Sequence, residues 1–89
     1  MPLEKGRIVR STAGREKDSF LVVVGFDGDK ICLSDGRERP LERPKQKSAK
    51  HLCLTSSVLG EDQLKTNRSI KHALRDYASE CGNSQKGDE

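Results

Sequence analysis

The chain has 89 residues, which is enough for one small domain and little more. Only 31% of the residues are hydrophobic and 3% are aromatic, so the core must be small and much of the chain must be solvated. The formal net charge is +3, a value too modest to establish nucleic-acid binding by itself. A core of this size argues against an enclosed substrate pocket, and we expect a binding module rather than an enzyme.

Targeting signals and cysteines point to one compartment. The N-terminal residues lack the apolar stretch of a signal peptide, and the longest apolar run, 20–24, is far shorter than a membrane span. We therefore expect a cytoplasmic protein that does not enter the membrane. Cys32, Cys53 and Cys81 are widely spaced and expected to be reduced. Because Cys32 and Cys53 fall in apolar strand patterns, we expect both thiols to be buried.

The first half of the chain reads as short strands and turns. Residues 6–11 predict a strand with β-branched residues between charged ones, and a polar loop follows at 13–18. Residues 19–26 predict the strongest strand, whose continuous apolar run suits either burial on both faces or a strand that bends through a barrel wall. Residues 27–29, Asp-Gly-Asp, predict a hairpin turn that leads into a partner strand at 30–34.

The segment 37–50 is basic and contains two prolines, which a long helix or a central strand tolerates poorly. We expect a basic loop here, with a short edge strand near 39–42. Its six cations are Arg37, Arg39, Arg43, Lys45, Lys47 and Lys50. Residues 51–55 predict a last strand, with Leu52 and Leu54 on one face.

A helix is predicted over 66–78. Its apolar residues recur at helical spacing and consist of Ile70, Ala73, Leu74 and Tyr77. Thr66 or Asn67 is expected to cap its N-terminus, and Gly82 is expected to end it. The apolar stripe is expected to pack on the chain's own strands, although a partner protein is the alternative.

Four to five short antiparallel strands followed by one helix predict a mainly β fold. A sheet this small exposes two edges unless it closes, so we expect a small barrel. The expected organisation is a barrel at 4–59 that includes the basic loop 37–50, a linker and helix at 60–81, and a disordered polar tail at 82–89.

One segment resembles a known motif. The residues Gly-Arg-Ile-Val-Arg-Ser-Thr-Ala-Gly-Arg-Glu-Lys-Asp at 6–18, followed by Phe-Leu-Val-Val at 20–23, resemble the KOW motif of ribosomal proteins and transcription elongation factors. The chain is most similar to small stand-alone bacterial KOW proteins related to the fourteen-e family of archaeal and eukaryotic large-subunit ribosomal proteins. A looser similarity extends to Thr55. The resemblance implies an SH3-like barrel that binds RNA. At position 18 the motif commonly has Gly, whereas this chain has Asp. The close approach of the loop backbone to RNA that the resemblance implies depends on this position.

The candidate RNA-binding residues come from two segments. Arg offers phosphate oxygens a planar fork of hydrogen-bond donors, and Lys offers a mobile positive charge. Gly14 permits a backbone conformation that could turn N–H groups outward. We expect RNA contacts from Arg7, Arg10, Gly14, Arg15, Lys17, Arg37, Arg39, Lys45, Lys47 and Lys50. The alternative is that these charges only solvate the surface. The same two alternatives hold for the helix cations Arg68, Lys71, His72 and Arg75.

The expected function is non-catalytic docking of structured RNA through phosphates, with ribosomal RNA as the expected target. Phe20 and Phe26 are expected in the core, so base stacking is not expected. The spacing of Cys and His does not fit a structural zinc site, and no catalytic motif or cofactor is expected. We expect a monomer when the protein is free of RNA. The competing hypothesis is a protein-interaction module of the translation or transcription machinery, which uses a barrel edge or the apolar helix face.

Overall fold

The computed structural model describes residues 3–14 and 17–86, with side chains described as far as residue 80. Five antiparallel strands form one sheet: β1 Arg7–Ser11, β2 Phe20–Asp27, β3 Lys30–Ser34, β4 Lys45–Ser48 and β5 Leu52–Val58. Short 3-10 helices span Ala49–His51 and Glu61–Leu64, and the helix α1 spans Asn67–Lys86. The mainly β fold with one C-terminal helix is therefore confirmed.

The strand order is β4-β3-β2-β1-β5, so β4 and β5 are the two outer strands. Only the 3-10 helix Ala49–His51 separates them in sequence. In a flat sheet the outer strands would lie about 19 Å apart, whereas a three-residue 3-10 helix advances about 6 Å. The sheet must therefore curve strongly, and a register shift between Val23 and Gly25 marks an irregularity in β2.

Each face of the sheet carries an apolar cluster. The inner cluster contains the buried residues Val9, Leu21, Val23, Ile31, Leu33 and Leu52. The outer cluster joins Ile8 and Val22 of the sheet to Leu64, Ile70 and Leu74 from the C-terminal part of the chain. Leu21, Val22 and Val23 of β2 are all fully buried. Successive residues of a strand point to opposite faces, so both faces of β2 are covered. The prediction that this strand is buried on both sides is confirmed.

Helix α1 begins where the sequence predicts. The hydroxyl of Thr66 accepts a hydrogen bond of 3.0 Å from the backbone N–H of Ser69, which is the geometry of an N-cap. Ile70 and Leu74 are buried against the sheet, and Tyr77 meets Phe20 edge to face with ring centroids 5.1 Å apart. The apolar stripe therefore packs on the chain's own sheet through Ile70, Leu74 and Tyr77.

The end of α1 differs from the expectation. Gly82 does not stop the helix, which continues to Lys86. Glycine lowers helix stability by about 1 kcal/mol relative to alanine, a cost that several good helix formers offset. Residues 87–89, the rest of the expected tail, lie outside the described residues.

The fourth strand lies later than expected. Residues 39–42 form no strand; their backbone is irregular, with turns, and the edge strand is β4, Lys45–Ser48. The sequence Lys-Gln-Lys-Ser has no apolar alternation, and it becomes a strand by pairing with β3, where Lys47 lies opposite Ile31. The segment 35–43, which contains most of the rest of the predicted loop 37–50, packs beside the start of α1 through the bond from Leu41 N–H to Asn67.

Two expected core residues are exposed. Phe26 is 54% exposed because it lies at the end of β2, next to the Gly28 hairpin, where no further strand covers it. Cys53 is also exposed, while Cys32 is half-buried. Cys53 follows the buried Leu52 in β5, so its side chain points to the opposite side of the strand.

Candidate nucleic-acid interface

The loop between β1 and β2 is held at its base by backbone hydrogen bonds. Ser11 N–H donates to the carbonyl of Ser19 at 3.0 Å, and Asp18 N–H donates to the carbonyl of Ser11 at 2.7 Å. The buried hydroxyl of Ser11 reaches into the loop and donates to the carbonyl of Ala13 at 2.9 Å. The described part of the loop is therefore an ordered extension of two sheet strands.

Two loop residues have left-handed backbone conformations. Gly14 has φ of 81° and Asp18 has φ of 71°. Glycine adopts this region at no steric cost, and Asp is among the few other residues that tolerate it. The expectation of an unusual backbone at Gly14 is confirmed. The same geometry explains why a glycine would suit position 18.

Strand β4 meets this loop directly. The ammonium of Lys47 donates to the carbonyl of Ala13 at 3.0 Å. Lys45 and Lys47 pair with Leu33 and Ile31, so both lysines leave β4 on the face of the inner cluster. The stem of Lys47 can therefore cover apolar side chains while its charge lies at the loop. Where the sequence predicts a basic loop, the structure has a strand that contacts and supports the β1–β2 loop.

The 3-10 helix after β4 brings a further cation to the same place. Thr12 N–H donates to the carbonyl of His51 at 2.9 Å, which attaches the loop to this short helix. Lys50, exposed, precedes His51. Lys17, also exposed, lies in the loop, where its N–H donates to the carbonyl of Gly14 at 3.2 Å.

These contacts join two basic segments that are separate in the sequence. We call the resulting region the loop surface and define it by Arg10, Gly14, Lys17, Lys47 and Lys50. Arg10 forms an ion pair of 2.9 Å with Asp18, and the two side chains are 42% and 67% exposed. An exposed pair of this kind contributes little free energy, about 0–1 kcal/mol, so a phosphate can compete for Arg10. Arg15, which the sequence places in the same loop, lies outside the described residues.

The structure contradicts the expected role of Arg7. Arg7 is only 5% exposed, and its guanidinium donates to the carbonyl of Thr55 at 3.0 Å. It also forms an ion pair of 3.4 Å with Glu4. Strand β1 lies between β2 and β5 rather than at an edge, so Arg7 cannot project from an edge toward RNA. Its charge instead satisfies a carbonyl of β5 where the β1–β5 register shifts.

The remaining candidates lie in two further places. Arg37 and Arg39 belong to the segment beside the start of α1, and Asp35 anchors both of their backbone N–H groups, at 2.8 and 2.9 Å. Arg37 is exposed and Arg39 is half-buried. Lys45 is half-buried opposite Leu33, two positions before Lys47 on β4. The ten predicted residues therefore do not form one surface.

Phe26 is a candidate site residue that the sequence interpretation missed. It pairs with Ile31, and Ile31 pairs with Lys47, so the three residues form one row across β2, β3 and β4. Residues paired in this way share a face, and two strand spacings place Phe26 about 10 Å from Lys47. The signal in the sequence was its position just before a hairpin turn, where neighbouring strands end. Phe26 offers an exposed aromatic ring near the loop surface.

No protein-family model and no curated protein sequence matches this chain. The resemblance to the KOW motif therefore stays a prediction from residues 6–23. In the part of the chain that the structure describes, no helix combines the length and apolar character needed to cross a membrane. Nor do the described residues include a group of three or more His, Cys, Asp or Glu side chains able to hold a metal ion.

An open cleft of about 440 Å³ lies on another part of the surface, between β5, the 3-10 helix Glu61–Leu64 and α1. Its lining includes the apolar residues Ile8, Val58 and Leu59 and the acidic residues Asp76 and Glu80. The two carboxylates give this cleft the opposite charge to the loop surface. It is therefore not part of the same interface.

Proposed function

We propose that the protein is a KOW-type RNA-binding module that docks folded RNA on the loop surface. The observation that carries the proposal is the contact between Lys47 and the carbonyl of Ala13, which brings the cations of β4 to the β1–β2 loop. Arg10, Lys17 and Lys50 lie on or beside the same loop, and Asp18 is the acidic residue paired with Arg10. A cluster of cations on a rigid scaffold suits the phosphate backbone of folded RNA.

The strand arrangement supports an SH3-like barrel. Strand β1 pairs with both β2 and β5, while β4 is joined to β5 by three residues, Ala49–His51. A five-stranded sheet with these connections must bring its two outer strands toward each other, as a small barrel does. One face of the sheet carries the inner apolar cluster, as the interior of a barrel would, and the loop surface lies where the β1–β2 loop meets the 3-10 helix.

The backbone of the loop supports the KOW resemblance. The motif commonly has glycine at the position of Asp18, and Asp18 has φ of 71°, a conformation that glycine adopts most easily. The departure from the motif is therefore compatible with the loop conformation. Ribosomal RNA remains the proposed target because the resemblance is to ribosomal protein families.

The test is charge reversal on the loop surface. Lys17→Glu combined with Lys50→Glu replaces two exposed cations, so folding should be nearly unchanged while affinity falls at least about tenfold. The matched control is Lys5→Glu with Lys65→Glu, which makes the same change in net charge at exposed positions outside the sheet strands that carry this surface. Binding is measured by fluorescence anisotropy with a labelled RNA stem-loop, and thermal unfolding checks the fold of both variants.

Two results would count against the proposal. The first is a folded Lys17/Lys50 variant that binds as tightly as the parent protein. The second is an equal loss in the Lys5/Lys65 control, because it would show that only net charge matters. The competing protein-interaction hypothesis would then rest on the exposed edges of β4 and β5, since α1 buries its apolar face against the sheet.

A further inference from the structure

Helix α1 carries a row of cations on the side that faces away from the sheet. Arg68, Lys71 and Arg75 are exposed and spaced three and four residues apart. With 3.6 residues per turn they fall within about 60° of the helix circumference and within about 10 Å along its axis. The acidic residues Asp76 and Glu80 lie elsewhere on α1, where they line the cleft beside Ile8. The helix therefore has separate buried, acidic and basic faces.

The segment 35–43 extends this basic face. A Cβ on Gly36 would lie 2.9 Å from the backbone nitrogen of Lys71 and closer still to the carbonyl of Asn67. Gly36 also has φ of 74°, so only glycine fits this close approach without strain. The contact places the exposed Arg37 next to the first turns of α1. We call Arg37, Arg68, Lys71 and Arg75 the helix surface.

The helix surface concentrates positive charge, with the carboxylate of Glu42, which accepts from Asn67 at 3.0 Å, at its edge. Among the ion pairs described for the side chains of residues 3–14 and 17–80, none involves Arg37, Arg68, Lys71 or Arg75. Two like charges three or four residues apart on a helix repel each other. The repulsion energy ranges from a few tenths of the thermal energy to about the thermal energy itself. A polyanion bound along the row would relieve this repulsion, and the ordered helix backbone holds the cations in place before binding.

The chemistry of the face distinguishes between kinds of polyanion. Membrane-binding helices place exposed apolar residues beside their cations, whereas the apolar residues Ile70 and Leu74 are buried against the sheet. Stable protein interfaces have an apolar or aromatic centre, and the four residues of the helix surface are all cationic. A phosphate backbone requires only cations at suitable spacing.

We propose that the helix surface is a second phosphate-binding surface, which holds a separate segment of RNA while the loop surface holds the first. This inference rests on the proposed function, because it names the same class of ligand. It adds that one protein molecule binds two RNA segments and connects them. The contacts are with the backbone, so the second segment is recognised by its position and shape rather than by its base sequence.

The test is a bridging assay with two RNA stem-loops, one immobilised through biotin and the other fluorescent. The parent protein should retain the fluorescent stem-loop on the immobilised one. Arg68→Glu with Lys71→Glu should reduce this co-capture at least about tenfold, while anisotropy with a single stem-loop changes by no more than about threefold. As the control, Lys5→Glu changes an exposed cation outside both surfaces and should bridge like the parent protein. Glu at position 68 is favourable in the first turn of a helix, so the variant should remain folded.

The outcomes separate the two proposals. Co-capture that persists in the Arg68/Lys71 variant overturns the second surface, and so does a parent protein that binds RNA without bridging. Loss of co-capture in the control overturns it as well, because net charge would then be the cause. If the Lys17/Lys50 variant binds a single stem-loop as tightly as the parent protein, the loop surface is not the RNA-binding site. The Arg68/Lys71 variant then tests the helix surface by itself. Sedimentation of the free protein identifies bridging by a protein dimer, which would overturn the inference.

Discussion

The guanidinium of Arg7 lies inside the fold, where the register between β1 and β5 shifts. The shift leaves extra residues in β5, and the carbonyl of Thr55 is satisfied there by Arg7. The hydroxyl of Thr55 donates in turn to the carbonyl of Ile8 at 2.7 Å. Arg7 and Thr55 together therefore hold the irregular part of the β1–β5 pair.

Arg7→Met should destabilise the protein without weakening its contact with RNA. The substitution keeps much of the aliphatic stem but removes the donor to Thr55, and a buried carbonyl left without a partner costs about 1–3 kcal/mol. Chemical denaturation measures the loss of stability, and anisotropy at a temperature where the variant is folded measures RNA binding. A stable Arg7→Met variant with weakened RNA binding would show that Arg7 contacts RNA.

Asp18→Gly should be close to neutral or slightly stabilising. Glycine removes the cost of a left-handed conformation, about 1 kcal/mol, while the lost Arg10–Asp18 ion pair is exposed and contributes little. The substitution also releases Arg10, so RNA affinity should rise severalfold. Denaturation and anisotropy test the two effects, and a clear loss of stability would show that Asp18 holds the loop through Arg10.

At the scale of single residues, the sequence predicts local backbone conformation and helix capping better than it predicts whether a side chain is buried. The conformation of Gly14 and the N-cap at Thr66 follow from local chemistry and are confirmed. The burial of Arg7 and the exposure of Phe26 depend on which strand lies alongside, and no local pattern contains that information. Arginine in a basic motif looks the same whether its partner is a phosphate or a carbonyl.

Among the elements, α1 is joined to the sheet by a compact apolar contact. Leu74→Ala should cost about 2–3 kcal/mol, because Leu74 is 6% exposed and packs in the outer cluster with Ile8 and Val22. Thermal unfolding followed by circular dichroism measures the loss. Ala78→Ser is a suitable control on the same helix, since Ala78 lies outside that cluster. An unchanged melting temperature for Leu74→Ala would mean that the helix is not held by this contact.

The segment 35–43 and α1 are linked by an acid-sensitive contact. Asn67 accepts from the N–H of Leu41 at 2.7 Å and donates to the carboxylate of Glu42 at 3.0 Å. The hydrogen bond from Asn67 is the main cause that lowers the pKa of Glu42 below its ordinary value of 4.5. A carboxyl group with a lowered pKa stabilises the fold above its unfolded pKa, and this contribution disappears as the pH falls through the folded pKa.

Glu42→Gln should therefore remove part of the decrease in stability that the parent protein undergoes as the pH falls. Above pH 4.5 the parent protein should be slightly more stable than the variant, and the difference should vanish at lower pH. Melting temperatures between about pH 3 and pH 7 measure the difference. A gap that stays constant over this range would show that the charge of Glu42 is not what stabilises the contact.

The strands were predictable in proportion to their apolar pattern. The hairpin of β2 and β3 has a strong apolar run and a Gly-Asp turn, and both strands lie within a residue of their predicted positions. Strand β4 has neither feature, and the interpretation placed an edge strand near 39–42 instead. Its strand conformation comes from pairing with β3, which is a long-range effect that a polar tetrapeptide does not reveal.

For the whole molecule, the salt dependence of binding should report how many phosphates the protein contacts. If five or six phosphates are neutralised, the logarithm of affinity should fall with the logarithm of salt concentration at a slope of about −4 to −5. Anisotropy titrations between about 50 and 200 mM salt measure this slope. A flat response would exclude binding dominated by phosphate contacts.

Phe26→Ala provides a useful companion measurement. If its exposed ring stacks on a base, its removal should weaken binding by about 1–3 kcal/mol and leave the salt slope unchanged. The Lys17/Lys50 variant should instead make the slope shallower by about two units. The two variants thus separate an aromatic contribution from an electrostatic one on the same part of the protein.

The joining of two sequence segments into the loop surface could not have been predicted from charge patterns. Lys47 and Ala13 are 34 residues apart, and they meet because the 3-10 helix Ala49–His51 turns the chain from one edge of the sheet to the other. The sequence shows two basic segments but does not give the distance between them. The curvature of the sheet supplies that information.

The edge-to-face contact between Phe20 and Tyr77 gives the protein an optical reporter of its own. The chain has one tyrosine and no tryptophan, so its intrinsic ultraviolet fluorescence comes from a single ring. That ring lies where α1 meets β2, with its plane at 84° to that of Phe20. Separation of the helix from the sheet would change the surroundings of this fluorophore alone. Movement of the helix during RNA binding or unfolding can therefore be followed in the unlabelled protein.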